Sequence, residues 1–177
     1  MSEPEAGKVS VVAVATKQRR VTARLPGDVG LALRSGEIVS SGWYLASWYG
    51  ALLSAICDEL GADESCVRVL AREAVRHDFA TLFRVLSLVV SPERIVANAV
   101  KVVARYVKGG TISALEAKPG RAHLRFAGFA GYDRRMWADF VGGMEGVLIA
   151  MRVPGATTEI VKGGKDGDDA CEVVLRW

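Results

Sequence analysis

TISALEAKPGRAHLRFAGFAGYDRRMWADFVGGMEGVLIAM, residues 111–151, carries two periodicities in one stretch. TISALEA and AHLRFAG alternate with period two around Lys118-Pro119-Gly120, which reads as a strand pair joined by a tight turn. Asp133 then caps a helix that runs to about Met151. Met136, Trp137, Phe140, Val141, Met144, Val147, Leu148 and Met151 recur along one side of it. Gly142, Gly143 and Gly146 lie inside the same helix, each costing it about 1 kcal/mol relative to alanine. Glycines there admit the close approach of another backbone or of a ligand, and tight packing is the plainer reading.

Working outward, TTEIVKG and ACEVVLRW form a closing hairpin around the loop GGKDGDD. Upstream, SPER at 91–94 is a helix start, with a Ser cap, Pro at the first helical position and Glu in the first turn. Its helix ends at Gly109-Gly110. A helix is expected from Trp43 to Leu60, ended by Gly61. A second starts near Asp63 or Ser65 and shows Val67, Leu70, Ala71, Ala74 and Val75; His77-Asp78 is expected to interrupt it. Phe79–Val90 then reads as a further helix. A short helical turn is expected over Asp28–Leu33. VSVVAVA (9–15) and VTARL (21–25) read as an extra N-terminal β-hairpin, with residues 1–7 a loose tail. The order of hairpin, helices, hairpin, helix, hairpin predicts one α+β domain over residues 8–177, with a helical layer on a twisted antiparallel sheet.

Half of the residues are hydrophobic, ample for a core, and the net charge of +3 is too small to point to nucleic acid. The densest basic run, Lys17, Arg19, Arg20 and Arg24, reads as a solvated face. The opening MSEPEAGK is acidic and polar, unlike a secretory leader. No apolar run reaches the length of about 18 residues that a membrane-spanning helix needs. Cys57, Cys66 and Cys171 cannot all pair within one chain, so a reducing, cytoplasmic setting is expected.

Catalytic patterns are scarce. His77 and His123 lack the neighbouring ligands of a metal site, and His77-Asp78 reads first as a helix-end contact. Cys57 reads as a small buried hydrophobe, whereas Cys66 sits near a helix start. GKDGDD has the carboxylate density of a calcium loop without its ligand spacing, so it reads as a solvated turn.

GWYLASWY, SPERIVANAVKVVARY, GGMEGVL, GATTEIV and CEVVLRW, in that order, resemble a myxobacterial family with many paralogues. That family is similar to the 4-vinyl reductase domains, the heme nitric-oxide-binding domains and the small TRAPP vesicle-tethering subunits. The resemblance spans roughly Pro26 to Trp177. It implies the TRAPP-like, NO-signalling type of ligand-binding fold, a cavity between helices and sheet in the sensor members, and helix-mediated dimers in the tethering members. The heme-binding members carry Y-x-S-x-R, which this chain lacks. Vinyl-reductase-type members often cluster cysteines towards the C-terminus, where this chain has only Cys171. No cofactor and no metal are therefore expected.

The expectation is a non-enzymatic sensor or interaction module in signalling, acting as a homodimer or as a heterodimer with a protein of the same fold. Its interface would lie on Trp43, Trp48, Tyr49, Leu52 and Ile56, because the first long helix is apolar on more sides than one sheet covers. The alternative is a carrier or sensor of a small apolar ligand, lipid or tetrapyrrole-like, in a pocket lined by Phe79, Phe83, Trp137, Phe140 and Met144.

Overall fold

The computed structural model describes residues 5–6, 25–38, 42–82, 91, 94, 103, 107–153 and 155–177. The elements are β1 (Glu5–Ala6), α1 (Gly27–Ser35), β2 (Tyr44–Leu45), α2 (Ala46–Leu60), α3 (Glu64–Leu82), β3 (Val107–Lys108), β4 (Thr111–Lys118), β5 (Arg121–Ala127), α4 (Arg134–Ala150), β6 (Thr157–Gly163) and β7 (Ala170–Arg176). Both expected C-terminal hairpins are present. They join into an antiparallel sheet of order β4-β5-β7-β6. Arg94 and Val103 are helical within the segment opened by SPER, and the Arg94 N–H donates to the Ser91 carbonyl. Apart from Leu25, the expected N-terminal hairpin lies outside the described residues, as do residues 83–90.

The sheet is two-faced because its strands alternate. Ala122, Leu124 and Phe126 of β5 and Cys171, Val173 and Leu175 of β7 point into the core. His123, Arg125 and Glu172 occupy the opposite face. Helix α4 lies on the apolar face, with the rings of Phe126 and Phe140 at 5.0 Å. Its start follows from Asp133, whose side chain accepts a hydrogen bond from the Met136 N–H at 2.9 Å.

The other side of α4 is covered by α3, which explains the interior glycines. A Cβ at Gly142 would overlap the Arg68 carbonyl oxygen, and one at Gly146 would sit 2.5 Å from that of Arg72. The glycines therefore admit a helix backbone; the sheet lies against the opposite, aromatic side. Sheet, α4 and α3 make three successive layers, and α2 joins them at the start of α4, where Gly50 faces the Met136 sulfur.

Three local expectations are corrected. Helix α2 begins at Ala46, three residues later than expected, because Tyr44–Leu45 is extended and pairs with β1. Helix α3 continues through His77-Asp78. Neither residue breaks a helix, and Val67, Ala71 and Val75 keep one buried face in register up to that point. Glu5–Ala6, inside the segment read as a loose tail, pairs with both β2 and β3. Gly61 ends α2 in the left-handed conformation at φ 58°, as the sequence implied.

Candidate functional site

Between α4 and the sheet the side chains build an aromatic interior. Phe129 stands at the hub, with ring centroids 5.2 Å from Tyr132, 5.9 Å from Trp137, 5.6 Å from Phe140 and 6.2 Å from Phe126. Most of these pairs meet edge to face, the favoured arrangement for aromatic quadrupoles. Trp137 is 1% exposed, and its indole N–H finds no hydrogen-bond partner among the described residues. Phe140 lies 6.3 Å from Trp137. Met144, half-buried, packs against the same core. Of the five expected pocket residues, the structure thus brings Trp137, Phe140 and Met144 together in one core. The side chain of Phe79 and all of Phe83 lie outside the described residues.

The buried polar groups of α4 connect layers. The Tyr49 hydroxyl of α2 donates to Asp139 at 3.0 Å, and Asp139 is 2% exposed. Burial, followed by the Asp139 carboxylate, pushes the phenols of Tyr49 and Tyr132 above their ordinary pKa. Glu145 accepts hydrogen bonds from Arg68 of α3 and from the Thr158 hydroxyl of β6. Arg68 also donates to the Thr158 carbonyl oxygen at 2.7 Å. Sequence reasoning missed both sets, since Tyr49–Asp139 and Arg68–Thr158 each span 90 positions. The readable sign was two acids inside an otherwise apolar helix, because buried charges need partners.

His123 approaches Glu172 at 3.1 Å across β5 and β7, on the face opposite α4. Cys57 and Cys66 bring their sulfurs to 3.5 Å. Cys171 is buried under the sheet, and burial pushes its thiol up to about 12. In the GKDGDD loop, Asp168 accepts from its own turn's Lys165 N–H, and Asp166 accepts from the Arg134 N–H at the start of α4. These carboxylates serve the turn and the helix end. Among the described residues, no group of three or more His, Cys, Asp or Glu is gathered as for a metal ion.

The expected interface residues separate into two sets. Tyr49, Leu52 and Ile56 are 5%, 3% and 3% exposed, covered by their own chain. Trp43 and Trp48 are half-exposed at the start of α2. Tyr44 stacks on Trp48 with centroids 6.3 Å apart, and the Lys108 ammonium lies 4.3 Å from the Trp43 ring.

No protein-family profile and no curated protein sequence matches the chain. Solved structures do. An Fe(II) unliganded H-NOX protein from K. algicida superposes with a TM-score of 0.63 at 13% identity, covering 94% of this chain and 92% of its own. A variant of that protein gives a TM-score of 0.66 at 12% identity over the same shares. An H-NOX protein from S. oneidensis in the Fe(II)NO ligation state gives 0.60 at 13% identity, covering 94% of this chain and 98% of its own. At such identities the likeness is one of fold: this chain has the α+β architecture of the H-NOX proteins, a helical layer on a four-stranded antiparallel sheet.

Proposed function

We propose that this chain is a non-enzymatic sensor or protein-interaction module built on that ligand-binding fold, and that it works as a dimer. The observation that supports it best is the use made of the buried ionisable groups. Asp139 and Glu145 are hydrogen-bonded to residues of neighbouring layers, and Tyr49 and Tyr132 are held in their neutral form. General acid–base chemistry needs a group near its working pKa within reach of a substrate, and these four hold the fold together instead.

Among the structural neighbours are H-NOX proteins in which heme distortion was probed. Four of the described candidate donors are unsuited to hold a heme. A heme iron takes an axial His, Cys, Met or Tyr. His123 stands beside Glu172 on the face of the sheet turned away from the aromatic interior, Cys57 and Cys66 are hydrogen-bonded to each other, and Tyr49 is committed to Asp139. The string Y-x-S-x-R of the heme-binding members is also missing. The purified chain is therefore expected to show no Soret band and no stoichiometric metal; a stable Soret band would overturn this.

A second reading, the carrier of a small apolar ligand, is supported by the Trp137 indole N–H. A buried donor without a partner costs about 1–3 kcal/mol, which an acceptor atom on a bound molecule would remove. Native mass spectrometry of freshly purified protein separates the two readings. An adduct of lipid or tetrapyrrole mass favours the carrier, and an empty oligomer favours the interaction module.

The dimer surface is assigned to the half-exposed corner of Trp43, Trp48 and exposed Leu45. Aromatic residues are enriched where subunits meet. Light scattering during gel filtration is expected to give a dimer at micromolar concentration, and Trp48→Glu a monomer. A monomeric wild type ends the dimer reading, and a dimeric Trp48→Glu moves the interface elsewhere.

A further inference from the structure

We propose that Cys57 and Cys66 are a redox modification site: a dithiol that a two-electron oxidant of the peroxide class closes into a reversible disulfide between α2 and α3. This inference does not rest on the sensor reading.

The geometry comes from the α2–α3 connection. Cys57 lies in the last turn of α2 and Cys66 in the first turn of α3, joined through Gly61, Ala62 and Asp63. Gly61 reverses the chain, the Ala62 N–H returns to the Cys57 carbonyl, and the Cys66 N–H donates to the Asp63 carbonyl. These bonds fix the two Cα positions. The sulfurs are left 3.5 Å apart, and the Cys57 sulfur lies 3.7 Å from the Asp63 carbonyl oxygen. A disulfide sets its sulfurs at about 2.05 Å, so closure asks for side-chain rotation across a small gap.

The two thiols are placed for different roles. Cys57 is 2% exposed, whereas Cys66 is half-exposed and meets the oxidant first. Burial and the hydrogen bond to Cys66 push the Cys57 thiol up to about 11, against the pull of the Arg135 guanidinium. Cys57 is thus a protonated resolving thiol beside a solvent-facing one. Oxidation-sensitive cysteines are typically accessible and sit next to such a partner.

The chemistry balances with hydrogen peroxide as the oxidant. The Cys66 thiolate attacks one peroxide oxygen and the O–O bond breaks. Cys66 becomes a sulfenic acid, and hydroxide leaves to be protonated to water. The Cys57 sulfur then attacks the Cys66 sulfur. The S–O bond breaks, the S–S bond forms, and the departing hydroxide takes the Cys57 proton. Two thiols lose two electrons and one peroxide becomes two waters. A thiol reductant reverses it by exchange. Cys171, buried under the sheet, provides an internal control.

The test uses the full chain, reduced and then treated with one equivalent of hydrogen peroxide, alkylated, and mapped without reduction. The expected result is a Cys57–Cys66 cross-linked peptide. Free thiols fall from three to one, at a rate independent of protein concentration and reversibly with dithiothreitol. Cys171→Ser should leave the cross-link intact, and Cys66→Ser should abolish it. Cys66 is half-exposed and serine nearly isosteric, and mapping of the wild type decides the matter even if a variant folds poorly. A wild type that keeps all three thiols, a sulfinic acid on Cys66 beside a free Cys57, or a cross-link between two chains would each overturn the proposal.

Discussion

Trp137→Ala is expected to lose about 3–5 kcal/mol of stability, enough to unfold much of a marginal domain. The ring is 1% exposed and meets Phe129, Tyr132 and Phe140. Truncation removes its buried apolar surface and leaves a cavity among rigid rings. Three aromatic neighbours cannot collapse into the space without giving up their edge-to-face contacts, so the cost falls at the high end of the range. Trp137→Phe is the informative companion. It keeps most of the ring and deletes an indole N–H that has no partner among the described residues, so its loss should be a fraction of that for alanine. Urea unfolding followed by circular dichroism measures both. An alanine variant with an unchanged midpoint would remove Trp137 from the core.

Gly142→Ala is expected to destabilise by about 2 kcal/mol, although alanine is the better helix former by about 1 kcal/mol. The added methyl would overlap the Arg68 carbonyl oxygen, a backbone atom in the second turn of α3 that no rotamer change can move. Helix α3 must then shift away, and it carries Arg68, whose guanidinium holds Glu145 and Thr158 together. Gly143→Ala is the counter-test one residue along. There, among the described residues, a Cβ meets only the Val75 methyl at 3.6 Å, an ordinary contact. Alanine at 143 should be neutral or stabilising by up to about 1 kcal/mol. Thermal unfolding of the two variants side by side reads the difference in sign; equal effects would show that α3 does not bear on Gly142.

What the sequence disclosed were signals confined to a few neighbouring residues. Period-two alternation placed β4 and β5, Pro119-Gly120 marked their turn, Asp133 started α4 and Gly61 stopped α2. What it withheld depended on residues far apart in the chain. Nothing near Gly142 says that its neighbour is Arg68, so the aromatic side and the glycine side of α4 were not told apart. The start of α2 was misread because Trp43, Tyr44 and Leu45 suit a helix locally, yet pairing with β1 draws Tyr44–Leu45 out as a strand. Likewise the rings of GWYLASWY do not share one role. Tyr49 turns inward to Asp139, while Trp43 and Trp48 stay at the surface. Of the candidate pocket, the sequence found the apolar stripe of α4. It could not foresee that Phe129 and Tyr132, from the loop before the helix, complete the cluster.

Gly142 and Gly146 stand one helical turn apart, and so do Arg68 and Arg72, whose carbonyls they admit. The seam between α3 and α4 therefore acts as a detent. A slide of α3 by one or two residues would drive its carbonyls into the Cβ atoms that flank each glycine. The next small residues in that row are Ala138 and Ala150, one further turn away at either end. Even a whole-turn step of about 5.4 Å would set one of the two carbonyls against the Cβ of Ala138 or Ala150, so translation along the seam is blocked in both directions. A signal passing between the helical layer and the sheet of this chain would travel as a tilt about the seam, and never as a glide along it.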